Sequence, residues 1–206
     1  MNKKIGFFDV DCRELSADGI NLVFRPRVNP IADKLDTLYT MASKSQIPFI
    51  FTTCCSGKML HDDSREDIVF VPIDKSLSLW KEKVHSCHLF YIQKKAFGDP
   101  KMNFSCRAYD VFNGNENALE LLRELDVQEW VVFGNGFDLC VNSVAKNILK
   151  AGYKVTLISD IMIPSAKGYD NCGTEENRVA VFENLCAMGA RKLTLDEFFD
   201  AYKIAD

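Results

Sequence analysis

The stretch that decides the fold reads Glu129-Trp130-Val131-Val132-Phe133-Gly134-Asn135-Gly136-Phe137-Asp138-Leu139-Cys140-Val141. Its first part lacks the alternation of apolar and polar residues, which is typical of a strand covered on both faces, as in a parallel sheet. Two glycines follow, and glycine adopts backbone angles that other residues avoid. Asp138 is a candidate helix N-cap or first-turn residue. The pattern predicts a buried strand, a tight turn and a helix that begins close to Cys140.

Further strands alternate with helices along the chain. Apolar segments predict strands at 4–10, 47–53, 88–93, 154–160 and 191–195, and helices are predicted at 30–45, 115–125, 174–188 and 195–202. This alternation predicts an α/β, three-layer Rossmann-like fold, in which a parallel sheet of about six strands carries helices on both faces. No linker, repeat or low-complexity segment interrupts residues 1–206, so we expect a single domain.

The composition narrows the function classes. The formal net charge is −4 and no basic stripe is visible, which disfavours nucleic acid and anionic membranes as partners. No apolar run approaches the ~20 residues of a membrane span. The opening residues lead directly into a predicted strand and lack the pattern of a signal peptide, so we expect a cytoplasmic protein. The eight cysteines are therefore expected to be reduced, most of them as small buried hydrophobic residues.

Three reactive residues stand at or just beyond the carboxyl ends of predicted strands, namely Asp9, Lys94 and Cys140. The carboxyl ends of parallel strands meet at one edge of a sheet, so these side chains are expected to lie together. Lys95 is an alternative to Lys94, because the end of that strand is uncertain by one residue. A cysteine at a helix start is favoured as a thiolate by free backbone N–H groups and the helix dipole.

The three residues suit acyl transfer. Asp9 would accept the proton of the Cys140 thiol, and Lys94 would hold Asp9 in place. Cys140 would then attack a carbonyl carbon, and the turn from Gly136 to Cys140 would offer backbone N–H groups to the oxyanion. A nucleophile, a base, an orienting cation and an oxyanion hole form the set that this reaction requires.

Two other site types are weighed against this hypothesis. A metal site could be assembled from histidines and cysteines, but their spacings match no zinc pattern: Cys54, Cys55, His61, His85, Cys87 and His88. Buried thiols and surface histidines are the simpler interpretation, so neither a metal nor another cofactor is expected. The Gly134-Asn135-Gly136 run lacks the third glycine of a dinucleotide fingerprint, which disfavours a nucleotide-dependent oxidoreductase.

Three segments, in this order, resemble the isochorismatase-like cysteine hydrolases, a superfamily that includes nicotinamidases, carbamoylsarcosine amidases and ureidoacrylate-type amidases. They read FFDVD (7–11), FYIQK (90–94) and VVFGNGFDLCVNSVAKNILKAGYKVTLISD (131–160). The resemblance runs from Lys4 to Leu195 and is weak over 12–46 and 60–88. It implies that Asp9 is the catalytic aspartate, Lys94 the lysine and Cys140 the nucleophile.

The resemblance also implies details of the turn and of the metal. It places the cis peptide of the superfamily at Asn135–Gly136, in an oxyanion turn that includes Leu139. Phe137 replaces the usual threonine of this turn. Nicotinamidases carry an Asp-x-His metal motif after the second strand, where this chain has Cys54-Cys55-Ser56. A metal-independent amidase is therefore expected rather than a nicotinamidase.

The expected function is cleavage of a C–N bond in a small amide or carbamoyl-type substrate, through a thioester at Cys140. Aromatic residues are expected to line the substrate pocket: Phe97, Phe104, Tyr109 and Phe137. Relatives commonly assemble, so a homo-oligomer, dimer or tetramer, is expected. Two alternatives remain open, a vinyl-ether hydrolase of the isochorismate type and a binding protein that retains the fold without catalysis.

Overall fold

A seven-stranded parallel sheet forms the centre of the molecule. The computed structural model describes residues 4–15, 22–53, 68–73, 79–94, 110–165 and 172–202. The sheet has the order β5-β6-β4-β1-β7-β8-β9. Its strands are β1 (Ile5–Val10), β4 (Phe49–Thr53), β5 (Ile68–Val71), β6 (Leu89–Gln93), β7 (Glu129–Asn135), β8 (Lys154–Ile163) and β9 (Arg191–Leu193). A short antiparallel hairpin adds β2 (Arg13–Leu15) and β3 (Leu22–Phe24).

Helices cover both faces of the sheet. They are α1 (Ala32–Ser45), α2 (Leu79–Lys83), α3 (Val111–Gly114), α4 (Asn117–Glu124), α5 (Asn142–Lys150), α6 (Glu175–Ala187) and α7 (Leu195–Tyr202). A 3-10 helix, Pro26–Ile31, precedes α1, and a π-helical turn, Phe137–Val141, precedes α5. Helices α2 to α6 contribute to the core on one face, which we call the first core. Helices α1 and α7 contribute to the second core, on the opposite face.

This architecture confirms the predicted three-layer α/β fold. The sheet has seven parallel strands rather than about six, because the apolar segment at Ile68–Val71 forms the edge strand β5. A four-residue edge strand carries too little periodicity to separate it from a loop in the sequence alone. Within the described residues, no helix is long and apolar enough to cross a membrane.

The pleat of β1 separates its side chains between the two cores. Successive side chains of a strand point to opposite faces. Phe8 and Val10 accordingly pack in the first core, and Ile5 and Phe7 pack in the second. Asp9 has the same parity as Phe7, so its side chain lies on the face of the second core.

Strand β7 approaches β1 closely at a glycine. Gly134 has φ 137°, and a Cβ at this position would lie 2.2 Å from the carbonyl oxygen of Val10. Only a residue without a side chain fits this contact. It brings the end of β7, and the turn that follows, against the end of β1.

Candidate active site

A buried ion pair lies at the carboxyl edge of the sheet. Lys94, which directly follows β6, places Nζ 2.5 Å from Oδ2 of Asp11, and both side chains are almost fully buried. Asp11 directly follows β1 and has φ 55°, in the left-handed region. Asp and Asn adopt this region more readily than most residues. The turn it produces allows Asp11 to reach a lysine that lies 83 positions later.

Asp11 has further partners besides Lys94. Thr52, near the end of β4, donates its hydroxyl to Asp11 Oδ1 at 2.9 Å, and Asp11 N lies 3.2 Å from the same hydroxyl oxygen. The Cys140 thiol lies beside this carboxylate and also contributes to lowering its pKa. Burial on its own would raise the pKa of Asp11, but the charge of Lys94 and these hydrogen bonds outweigh it and lower the pKa. Asp11 is therefore an ionised carboxylate in contact with a thiol.

The structure places Asp11, and not Asp9, beside Lys94 and Cys140. Asp9 pairs in register with Phe51 and Phe133, which lie in the second core, whereas Cys140 packs against the first. The sequence predicts Asp9 as the base, and that role stays a prediction, but the placement of the two side chains favours Asp11. The two aspartates flank Val10, and a side chain beyond the last residue of a strand no longer follows the pleat.

Asp9 occupies a different environment. Its carboxylate is 1% exposed, and the nearest cation, Arg13 Nε, is 3.7 Å from Oδ2. The Arg13 guanidinium lies over the ring of Phe24, 4.3 Å from the centroid, and over that of Tyr39 at 5.2 Å. Burial raises the pKa of Asp9 to about 6, although the charge of Arg13 partly opposes it. This carboxylate is poorly compensated, in contrast to Asp11.

Cys140 lies in the π-helical turn Phe137–Val141 between β7 and α5. Gly136 precedes the turn with φ 78°, and a Cβ there would lie 3.5 Å from Cys140 Sγ. The thiol is partly exposed, whereas the carboxylate and ammonium beside it are buried. Cys140 is therefore less buried than the carboxylate beside it.

The predicted oxyanion turn differs from expectation. The described residues contain no cis peptide, so the Asn135–Gly136 bond is trans, as expected from the ~3–4 kcal/mol cost of a cis bond without proline. Gly136 N donates to the carbonyl of Ile163 at 3.0 Å, and Leu139 N donates to that of Gly136 at 3.0 Å. Both N–H groups are engaged in the backbone and are not directed to a substrate. Asn135 instead contacts the site through its side chain, whose Nδ2 donates to the Asp11 carbonyl at 3.4 Å.

Phe137 is a core residue and not a pocket wall. Its side chain is fully buried, and its ring lies 4.2 Å from that of Phe182 in α6, centroid to centroid. Its role in substrate binding stays a prediction, which this buried position disfavours. Its ring packs α6 against the turn that contains Cys140.

The sequence predicts Asp138 as a helix N-cap or first-turn residue, and it lies in the first turn of the π-helical segment, where its side chain also connects three segments. Its carboxylate accepts hydrogen bonds from Ser165 N at 2.8 Å, Gly173 N at 2.6 Å and Asn177 Nδ2 at 3.1 Å. Burial opposes the charge, but the hydrogen bonds from Ser165 and Gly173 outweigh it and lower the pKa of Asp138. These contacts tie the turn of Cys140 to the end of β8 and to the start of α6. Neither Asp138 nor Thr52 could be assigned these roles from spacing alone, because their partners are distant in sequence.

Several predicted residues lie outside the described residues. They are the alternative lysine, three aromatic pocket candidates and part of the possible metal set: Lys95, Phe97, Phe104, Tyr109, Cys54, Cys55, Ser56 and His61. Within the described ranges, no group of three or more His, Cys, Asp or Glu side chains is placed to hold a metal ion. The absence of a metal stays a prediction for the whole chain.

The chain was compared with known protein families, curated proteins and solved structures. No family model matches the sequence, and no curated protein is significantly similar to it. An isochorismatase-like hydrolase from Alkaliphilus metalliredigens is 15% identical with a TM-score of 0.58, and the match covers 98% of each chain. The N-carbamoylsarcosine amidase from Thermoplasma acidophilum is 16% identical with a TM-score of 0.54, over 94% of this chain and 98% of that one.

A third similar structure is the pyrazinamidase of Pyrococcus horikoshii, solved in complex with zinc. It is 16% identical with a TM-score of 0.57, and the match covers 93% of this chain and 99% of that chain. At these identities the likeness concerns the fold. It confirms the fold that the sequence resemblance implied.

Proposed function

We propose that this chain, which has the fold of the isochorismatase-like hydrolases, is a single-domain cysteine hydrolase that cleaves a C–N bond in a small amide or carbamoyl-type substrate. The observation that carries the proposal is the chain of contacts from Lys94 to Asp11 to Cys140. A thiol beside a buried carboxylate, which is itself held by a cation, is the arrangement that activates a cysteine nucleophile.

The first half of the reaction forms a thioester. Asp11 accepts the proton of the Cys140 thiol, and the thiolate attacks the substrate carbonyl carbon. Asp11 then gives that proton to the leaving nitrogen as the C–N bond breaks, which releases ammonia or an amine. Lys94 keeps its proton throughout and compensates the charge of Asp11 when the carboxylate is ionised.

The second half regenerates the thiol. Asp11 accepts a proton from water, whose oxygen attacks the thioester carbonyl. The C–S bond breaks, the acid product leaves, and the proton on Asp11 returns to Cys140 sulfur. General base catalysis of this kind contributes ~10²–10⁴-fold to a rate.

The lowered pKa of Asp11 favours this route over vinyl-ether hydrolysis of the isochorismate type. That alternative needs a carboxylic acid that donates a proton to the substrate at its start. Asp11 is held as a carboxylate by Lys94, Thr52 and Cys140, so it is poorly suited to begin as an acid. A carboxylate that begins as a base fits the thiol route.

The remaining parts of the proposal concern cofactors and assembly. We propose that the reaction needs no metal, that the chain acts in the cytoplasm, and that it assembles as a dimer or tetramer. Activity should survive a chelator, and one tightly held zinc per chain in a metals analysis would contradict metal independence. Sedimentation analysis of the purified protein tests the assembly.

The experiment that tests the function is a screen of small amides for ammonia release. The Cys140→Ala variant should lose turnover, whereas Cys186→Ala, which removes an exposed thiol on α6, should keep it. Wild-type turnover in Cys140→Ala would overturn the thioester mechanism. If Asp11→Asn also lost the activity that Cys140→Ala retained, the vinyl-ether route would replace it. If the screen found no turnover and Cys140 alkylated no faster than Cys186, the chain would be a binding protein.

A further inference from the structure

One buried carboxamide joins the ends of two strands beside Lys94. Asn115, between α3 and α4, is fully buried. Its Nδ2 donates to the carbonyl of Val71 at 3.0 Å and to that of Gln93 at 2.9 Å. Its Oδ1 accepts from Asn117 N at 3.0 Å, at the start of α4. A single side chain therefore connects β5, β6 and α4.

The bond to Gln93 bears directly on the lysine. The carbonyl of Gln93 and the nitrogen of Lys94 belong to the same peptide unit, which is planar and rigid. Asn115 therefore holds the plane from which the Lys94 side chain departs. The Lys94 ammonium is buried and lies 2.5 Å from Asp11 Oδ2, a contact with little tolerance for displacement. A misplacement of ~1 Å in a catalytic group can cost ~10²-fold in rate.

The other end of α3 contacts the cysteine side of the site. Asp110 caps α3, and its carboxylate accepts hydrogen bonds from Asn147 Nδ2 at 3.2 and 3.3 Å. Asn147 lies on α5, the helix that follows Cys140. Residues Asp110 to Asn115 thus span from the strand that Lys94 follows to the helix that follows Cys140.

We propose that Asn115 is a positioning residue for Lys94, and that it acts by fixing the Gln93–Lys94 peptide. The proposal rests on the proposed function, because it assigns Asn115 a role in that same site. This role is distinct from stabilising the fold. Loss of the carboxamide displaces Lys94 from Asp11 and so weakens the activation of Cys140.

Asn117 provides a matched control. It is a buried asparagine two positions away, and its Nδ2 donates to the carbonyl of Pro72 at 2.8 Å. This hydrogen bond ties α4 to the residue after β5, and its acceptor is the Pro72 carbonyl and not the Gln93–Lys94 peptide. Both Asn115→Ala and Asn117→Ala should lower the melting temperature, and only Asn115→Ala should strongly affect the thiol.

The readout is the rate of iodoacetamide reaction at Cys140, followed by peptide mass spectrometry from pH 5 to 10. Asn115→Ala should slow the reaction at pH 7 by tenfold or more and shift its pH profile upward. Asn117→Ala should stay within twofold of wild type. On a confirmed substrate, Asn115→Ala should lower kcat and leave KM nearly unchanged. Equal profiles for the two variants would overturn the proposal.

A second variant covers the case in which Asn115→Ala does not fold. Asn115→Asp keeps the volume of the side chain, but a buried carboxyl group donates at most one hydrogen bond where the carboxamide donates two. Its alkylation rate should fall between those of wild type and Lys94→Met, and a wild-type rate would contradict the role of Asn115.

Lys94→Met separates the two proposals. If Lys94→Met leaves the reactivity of Cys140 unchanged, the proposed function fails. If Lys94→Met slows the reaction and the Asn115 variants do not, only the positioning role fails.

Discussion

Asp9 and Asp11 lie two residues apart at the end of one strand, and both are almost completely buried. Their pKa values nevertheless move in opposite directions from the same ordinary value of 3.8, upward to about 6 for Asp9 and downward for Asp11. Burial acts on both, so the difference comes from their partners. Asp11 has an ammonium at 2.5 Å and the Thr52 and Cys140 side chains, while Asp9 has a guanidinium nitrogen at 3.7 Å. The neighbouring charged and polar groups of each carboxylate, rather than its burial, determine whether it is ionised and able to accept a proton from a thiol.

The largest effect should come from exchanging each carboxylate for an amide. Asp11→Asn removes the proposed base, and the alkylation of Cys140 at pH 7 should slow by ~10²–10⁴-fold. Asp9→Asn acts on the other face of the sheet and should change this rate by less than about threefold. Both rates can be measured on the intact protein with iodoacetamide. An equal loss in the two variants would remove the distinction between the two aspartates.

The next effect concerns the stability of the ion pair. Lys94→Met leaves the buried Asp11 charge without its cation, which should cost about 3–5 kcal/mol in the free energy of unfolding at pH 7. Lys34 offers a control, because it pairs with Asp160 at 2.6 Å and both side chains are partly exposed. Lys34→Met should cost about 1 kcal/mol or less. Urea denaturation measures both, and similar losses would mean that burial of the Lys94 pair has no energetic consequence.

A smaller change in the free energy of unfolding is expected for Asp9→Asn, and its sign is opposite to that of Lys94→Met. The Asp9 pKa of about 6 in the folded protein lies above the ordinary 3.8, so the folded state binds the proton more tightly. The stability of the wild type should therefore rise as the pH falls from about 6 towards 4. Asp9→Asn should be more stable than wild type at pH 8, by up to about 3 kcal/mol, and should lose this advantage near pH 4. If the difference in stability between Asp9→Asn and wild type did not change with pH, burial would not be raising the pKa of Asp9.

The sequence predicted those features whose causes are local. The buried strand β7, the glycine turn and the position of Cys140 follow from one contiguous stretch. Lys94 follows from the end of a second apolar run. Both predictions use the alternation of strands and helices, and that pattern also gives the three-layer fold.

The sequence did not separate Asp9 from Asp11, because that choice depends on the left-handed angle of Asp11 and on residues 41 and 83 positions away. The same reason applies to Phe137, whose partner Phe182 lies on a later helix. The N–H groups of the turn could not be assigned either. Gly136 N donates to the carbonyl of Ile163, and no local sequence pattern predicts that hydrogen bond.

The contact between Gly134 and β1 has a consequence for the gene. The Val10 carbonyl occupies the space that any Cβ at 134 would need. Glycine codons differ only in their third base, so a change in either of the first two bases of codon 134 introduces a side chain or a stop. Such a change pushes apart the strands that carry Asp11 and lead to Cys140. The third base of codon 134 can therefore change without changing the protein. Its first two bases cannot, because any side chain at this position would collide with the Val10 carbonyl oxygen.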